Sequence, residues 1–373
     1  MSLVLYRKYR PKTFAEVVGQ EHVVKTLTNA IASGMISHAY FFSGPRGTGK
    51  TTLARLFAKA INCQNRKEGE FEPCNKCSSC LEINDGRSLD LIEIDAASNG
   101  GIEQIRELRD GIKFTPTKSK YKVFILDEAH QLSKEAANAI LKTLEEPPAH
   151  AVFILATTEA HKMIPTIMSR TQHFDFWKLT LPQIIAKLEY VAKKEGVKIE
   201  KNALTLVAAA GGGSIRDSES LLDQVFAFSG DNGEIKAEDI KDLFGIVDIA
   251  QVIKFVEFLA KKDAAGALNF LNECTNRGTD LQEFIKSAIN YLRQVLISKI
   301  DPGLVDSLVL GITSDEKEKI QALNSQFKGV ELQNIIKSFL EAENKMKYSS
   351  IPQLPIELAV IEVTELSSYR ENK

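Results

Sequence analysis

The sequence predicts an α/β fold built on a parallel five-stranded sheet, followed by a small helical domain and then an all-helical one. Three observations carry that prediction. Short apolar, β-rich runs recur at residues 39–42, 89–94, 122–126, 151–155 and 174–177, and longer segments of helical period separate them, as in a sheet covered by helices on both faces. Past residue 177 strand signals stop and only helical pattern continues. The length of 373 residues leaves room for roughly two or three domains.

Composition bounds the function classes. With 44% hydrophobic and 26% charged residues the chain is of ordinary globular make-up, not a small disulfide-stapled scaffold or a disordered tail. Lys plus Arg number 47 against 49 Asp plus Glu, a formal charge of −2, which argues against a surface coated in positive charge for indiscriminate nucleic-acid binding. Arg7, Lys8 and Arg10 stand where a signal peptide would begin, but no apolar core follows, and no run approaches the ~18 apolar residues of a membrane span. The expectation is a soluble cytoplasmic protein that makes no use of a membrane. Four of its five cysteines crowd between Cys63 and Cys80, a distribution that in such a compartment favours metal over disulfides.

Of the helices, one opens at the glycine-rich turn before Lys50 and carries Leu53, Leu56, Phe57 and Ala60 at helical spacing. A second runs over residues 134–145, with Ser133 as N-cap and Pro147-Pro148 as the stop. Thr180-Leu-Pro-Gln183 fits a capping box, and helices are expected at about 181–195, 201–210, 216–228 and 237–244. From about 247 to 367 helical pattern continues, with breaks at Asp263, 277–279, 301–303 and 351–355. The domain boundaries that follow are 1–178, 179–246 and 247–373.

Gly44-Pro-Arg-Gly-Thr-Gly-Lys-Thr51, set between an apolar strand and a helix, matches the phosphate-loop pattern. The glycines would let the loop of Gly44, Pro45, Arg46, Gly47, Thr48 and Gly49 turn its available backbone N–H groups inward around phosphates. Lys50 would reach the outer phosphates, the Thr51 hydroxyl would ligate Mg²⁺, and Thr52 would follow it on the helix. Lys122-Val-Phe-Ile-Leu-Asp-Glu-Ala-His130 is an apolar strand ending in two carboxylates. Asp127 would organise the Mg²⁺ shell and Glu128 would polarise an attacking water. The letters Asp-Glu-Ala-His also occur in one helicase class, but the second motor domain of such enzymes needs a Gly-Arg-x-Gly-Arg-like element, and none occurs in the sequence.

Cys63, Cys74, Cys77 and Cys80 have the spacing C-x10-C-x2-C-x2-C. Four thiolates suit a closed tetrahedral zinc site stapling a polar insertion at about 63–80. An iron–sulfur cluster is the rival, though the Cys-Pro that completes the usual ferredoxin signature is missing after Cys80; unliganded thiols are a third reading. Cys274, alone on a helix, reads as a small buried apolar residue. His38, His130, His150 and His161 have no metal-ligand spacing and read as packed or solvated.

Together with Tyr9-Arg-Pro-Lys-Thr-Phe-Ala-Glu-Val-Val-Gly-Gln20, His38-Ala-Tyr-Phe-Phe-Ser-Gly44, Ile92-Glu-Ile-Asp-Ala-Ala-Ser98, Leu141-Lys-Thr-Leu-Glu-Glu-Pro-Pro148 and Leu155-Ala-Thr-Thr158, these motifs resemble the AAA+ ATPases. More closely, over about residues 3–245, they resemble the gamma/tau clamp-loader family of bacterial DNA polymerase III. The resemblance implies a P-loop AAA+ domain with a zinc-binding insertion, a helical lid and an all-α collar. Ser169-Arg-Thr171 is similar to the family's Ser-Arg-Cys motif, which implies that Arg170 acts as an arginine finger in a neighbour's ATP site, with threonine in place of the cysteine. Gly213-Ser-Ile-Arg-Asp217 implies a second sensor at Arg216, although Ser218-Glu219 departs from the small, apolar continuation usual there. Thr158 falls at the first-sensor position, with Thr157 a close rival. Arg10-Pro11 and Val17-Val-Gly-Gln20 match the stretch that lines the adenine pocket, placing Arg10 and Val18 there. Asn99-Gly-Gly101 falls where family members approach DNA.

The resemblance also points to zinc at the four cysteines, and it implies an ATP-hydrolysing motor of the clamp loader that uses ATP, Mg²⁺ and Zn²⁺. Its partners would be other loader subunits in a pentameric ring, the sliding clamp and primer-template DNA. Two alternatives stand beside it. One is another AAA+ ring, such as a branch-migration motor, which the cysteine insertion and helical end disfavour. The other is a non-hydrolysing scaffold subunit, against which the intact Lys50, Asp127 and Glu128 argue.

Overall fold

The computed structural model describes residues 4–99, 111–112, 114–229, 233–245, 248–301 and 314–365. Gly100 and Gly101 of the expected DNA-proximal turn lie outside them, as do residues 246–247 at an expected domain boundary and the end of the last expected helix past 365. The chain gathers into two compact units, Met1–Lys236 and Ala237–Lys373.

The first unit is built on five parallel strands, β1 (Ala39–Ser43), β2 (Leu91–Asp95), β3 (Lys122–Asp127), β4 (Ala151–Thr157) and β5 (Gln172–Asp175), in the order β2-β3-β4-β1-β5. Strands β1, β3 and β4 lie inside the sheet, and their apolar runs serve both of its faces. Tyr40, Phe42, Ile125 and Ile154 join one core with Leu27 and Phe57, while Phe41, Phe124 and Leu155 join the other with Ile140 and Leu144. This is the alternation of a pleated strand whose two sides are both covered.

Both edge strands are displaced from expectation. β2 begins at Leu91 rather than residue 89, and Leu89 is 71% exposed. β5 covers Gln172–Asp175 rather than 174–177. An edge strand needs no continuous apolar run, so Gln172 and His173 pair with β1 unannounced by hydrophobicity. Phe176 is buried just beyond the strand, and Trp177 stacks on His22 with ring centroids 4.0 Å apart.

The helices follow their caps. Ser133 accepts from the Ala136 N–H at 3.1 Å and opens helix Lys134–Glu145. The capping box at Thr180 opens Leu181–Glu195, and Lys201–Ala210 and Ile215–Ser229 complete the helical part of this unit. In the second unit Asp248, Asp263 and Asp280 cap helices Ile249–Ala260, Ala264–Asn276 and Leu281–Ile300. Phe255, Phe284 and Phe339 stack edge-to-face at its centre, with centroids 5.3 and 5.9 Å apart, and Cys274 is buried in the same core.

Candidate functional site

Between β1 and helix Lys50–Ile61 the chain turns through three left-handed glycines that tolerate no side chain or need none. A Cβ on Gly44 would stand 2.2 Å from the Phe176 carbonyl, and one on Gly47 1.8 Å from Ser214 Oγ. Gly49, at φ +101°, releases the first helical N–H groups toward the loop. Lys50 is buried, and its ammonium donates to the Gly44 and Pro45 carbonyls at 2.7 and 2.8 Å. Burial lowers its pKa, against which Glu128 and Asp127 pull it back up.

Opposite the loop, β3 delivers the acid pair. Thr51 Oγ1 donates to Asp127 Oδ2 at 2.7 Å, bringing together the two groups expected at Mg²⁺. Glu128 takes a left-handed backbone, φ +48°, and its N–H donates to Asp127 Oδ1 at 3.0 Å. From the end of β4, Thr158 Oγ1 donates to Glu128 Oε2 at 2.9 Å. The Thr157 hydroxyl is fully buried and faces His130 Nδ1 at 2.9 Å instead. His130 Nε2 lies 3.1 Å from Glu159 Oε2.

A cavity of ≈ 510 Å³ joins these groups. Arg46, Gly47, Thr48, Gly49, Lys50, Thr51 and Thr52 form one wall, Asp127, Glu128 and Thr158 another, and Arg10, Val18 and Arg216 complete it. The size and the mixture of backbone donors, cations and apolar surface suit a nucleotide. Arg170 is not on its wall. Arg170 Nη1 donates to the Thr166 carbonyl at 2.9 Å, and Nη2 pairs with Glu145 Oε1 at 2.8 Å.

Three further residues on the wall escape the sequence motifs: Tyr6, Lys187 and Glu219. The Arg216 guanidinium lies over the Tyr6 ring, 5.0 Å from its centroid, and a hydrogen bond with Arg216 lowers the Tyr6 pKa. Glu219 is 4% exposed, and its Oε1 has no hydrogen-bond partner. Burial pushes its carboxyl up to about 7, against the opposing pull of Lys187 and Arg10. The one available signal was helical period, because Glu219 falls three residues after Arg216 on a helix whose Ser218, Leu222 and Val225 are buried.

The four clustered cysteines converge, with all their Sγ atoms within 4.8 Å of one another. A tetrahedral zinc site needs such mutual closeness, whereas thiolates around an iron–sulfur cube each bind a separate iron and stand further apart. Cys74 Sγ accepts from the Lys76 and Cys77 N–H groups at 3.4 and 3.3 Å, and Cys63 Sγ from the Cys74 N–H at 3.3 Å. Burial works to raise the Cys74 pKa, yet the Lys76 and Cys77 N–H groups, with hydrogen bonds from the Cys63 and Cys77 thiols, bring it down to about 6. Lys59, buried on the helix that begins at Lys50, donates to Asn75 Oδ1 at 2.7 Å and to Asn84 Oδ1 at 2.8 Å. The cysteine module is thereby tied to the phosphate-loop helix. The residues fit a zinc ion.

Three family models match successive parts of the chain: "DNA polymerase III, delta subunit" over residues 19–180, "DNA polymerase III clamp loader subunit, ATPase lid domain" over 183–231, and "DNA polymerase III subunits gamma and tau domain III" over 235–373. The chain is 43% identical to DNA polymerase III subunit tau of Bacillus subtilis, over 97% of its own length and 63% of that protein's. It is 37% identical to subunit tau of Escherichia coli, over 96% of itself and 54% of that protein. It is 35% identical to subunit gamma of Buchnera aphidicola (subsp. Schizaphis graminum), over 97% of itself and 98% of that chain. The chain therefore spans between about half and two thirds of the tau relatives it matches and nearly all of the gamma relative. Among solved structures, the Thermotoga maritima RuvB Holliday junction branch migration motor aligns at 18% identity and a TM-score of 0.48, over 67% of this chain and 79% of that one.

Proposed function

This chain belongs to the DNA polymerase III gamma/tau family, and from that premise we propose that it is the ATP-hydrolysing motor subunit of a clamp loader. The observation that carries the reading is the meeting of Lys50, Thr51, Asp127, Glu128 and Arg216 around one cavity. The loop N–H groups and Lys50 hold the triphosphate. Thr51 and Asp127 would hold Mg²⁺, which would supply positive charge to the phosphates. Glu128, oriented by Thr158, polarises the attacking water and takes its proton. Arg216 steadies the phosphates within the subunit. Arg170, placed away from its own cavity, reaches the site of a neighbour in a pentameric ring and stabilises charge on the γ-phosphate there.

In this reading residues 1–178 are the AAA+ nucleotide domain, 179–246 the lid and 247–373 the collar that holds the ring together. ATP binding closes the ring, opens the sliding clamp and grips primer-template DNA; hydrolysis releases the clamp around it. Zn²⁺ at the four cysteines is structural. The site of action is the cytoplasm, and among the described residues no helix is long and apolar enough to cross a membrane.

The test is clamp transfer. Mixed with its partner subunits, the chain should move a labelled clamp onto primed circular DNA only when ATP is present. Lys50→Ala should lower nucleotide affinity by about 100-fold, because two charge-assisted contacts are lost, and should abolish transfer. Transfer that proceeds without ATP, or unimpaired in Lys50→Ala, contradicts the proposal.

A further inference from the structure

The nucleotide cavity contains a buried acid that no step of hydrolysis uses. Glu219 sits one helical turn beyond Arg216 on the same face of Ile215–Ser229, so a wall that turns a cation to the phosphates at one level presents a carboxyl about 4.5 Å further along the axis. The cavity wall also carries the apolar Val17, Val18 and Ile215, and the cations of Lys187 and Arg10 act on the carboxyl from the same wall. The residue is 4% exposed, and its Oε1 has no hydrogen-bond partner. A buried acceptor left unmet is costly, and its presence in a ligand cavity calls for a donor on the ligand.

We propose that Glu219 is a base-reading residue, whose carboxyl oxygen accepts a hydrogen bond from the 6-amino group of adenine and so selects ATP against 6-oxo purine nucleotides. The inference rests on the ATP-site reading given above. The 6-amino group is the only hydrogen-bond donor on the adenine ring, so an unmet acceptor beside the base has no other partner on it. A 6-oxo purine puts an acceptor at that position, which meets the ionised carboxylate with like polarity. The protonated carboxyl could donate to a 6-oxo oxygen, so the discrimination belongs to the ionised form and is read at pH 8. A site built to meet such a donor rejects the analogue that lacks it, because the protein group then stays buried and unpaired. The apolar residues Val17, Val18 and Ile215 cover the faces of the ring without distinguishing one purine from another.

The experiment measures binding of ATP, ITP and 2′-deoxy-ATP, with Mg²⁺, to the 373-residue chain and to Glu219→Leu and Glu219→Gln. The expected result is that Glu219→Leu shrinks the ATP-to-ITP affinity ratio by about tenfold through weaker ATP binding. Glu219→Gln, isosteric and able to turn an N–H to a 6-oxo group, keeps ATP affinity and shrinks the ratio by gaining ITP. If Glu219→Leu does not fold, the Gln variant decides alone. An unchanged ratio with tight ATP binding overturns the role of Glu219 and leaves the ATP site standing. A change confined to the ATP-to-deoxy-ATP ratio overturns it in favour of a ribose contact. Failure of the unsubstituted chain to bind ATP overturns both.

Discussion

Thr158 Oγ1 donates to Glu128 Oε2 at 2.9 Å across the gap between the ends of β4 and β3, and the acid it holds sits on a left-handed backbone at φ +48°. A non-glycine residue in that region is strained and keeps its place only if its surroundings hold it. The hydroxyl of Thr158 and the carboxylate of Asp127, which accepts the Glu128 N–H, are two such restraints. Thr158→Val, which keeps the shape and removes the donor, should slow ATP hydrolysis by about tenfold, a loss in the range of one hydrogen bond to a charged group. Nucleotide affinity should stay within about twofold, because Thr158 acts on the attacking group rather than on phosphate. Steady-state turnover and equilibrium binding, measured side by side, check the split.

Glu219 gives the folded chain a pH signature. Its carboxyl is raised from an ordinary 4.5 to about 7, chiefly by burial. Between those values the folded chain holds a proton that the unfolded chain has released. Its contribution to stability is thus full below about pH 4.5, is lost as pH rises to about 7, and is flat above. The span is about 3 kcal/mol. Denaturant titrations from pH 4.5 to 8 should show this decline, and Glu219→Leu should flatten it, gaining stability relative to the unsubstituted chain at pH 8 more than at pH 5. Parallel curves for the two proteins would contradict the assignment.

The cysteine module should carry one zinc ion, measurable by metal analysis of the purified chain. Cys80→Ser removes a buried ligand and should lower the metal content and depress the melting temperature by about 5–10 °C. Since Lys59 ties the module to the phosphate-loop helix, nucleotide affinity should fall as well, by about two- to fivefold. Full affinity in the zinc-free protein would show the tie to be inert.

Local chemistry made much of this site legible in sequence. The phosphate loop, the Asp127–Glu128 pair and the four cysteines each lie within a short segment whose residue types admit few other uses, and caps such as Ser133 and Thr180 marked helix starts for the same reason. The edges of the sheet were less legible, because β5 pairs with one neighbour only and needs no hydrophobic run. Tyr6 and Lys187 reach the cavity from segments whose neighbours' spelling announces no ligand, and Glu219 was signalled only by its helical spacing from Arg216. The Thr157–His130 contact was hidden similarly. Two adjacent threonines at a strand end differ in sequence only by parity, and the fold gives one to His130 and the other to Glu128.

The central claim is a motor whose active site is completed by a neighbour, and Arg170 tests it most directly. In the single chain its guanidinium is engaged with Glu145 and the Thr166 carbonyl at the surface, a pairing of the kind that contributes about 0–1 kcal/mol, so Arg170→Ala should fold and bind ATP as the unsubstituted chain does. The measurement is ATP turnover by the dilute chain alone, and by the ring assembled with partner subunits, clamp and primed DNA, for both proteins. The account predicts slow turnover by either chain alone, strong stimulation on assembly, and a loss of about 1,000-fold in assembled Arg170→Ala. Full-rate hydrolysis by the dilute chain, or normal hydrolysis by assembled Arg170→Ala, would contradict it.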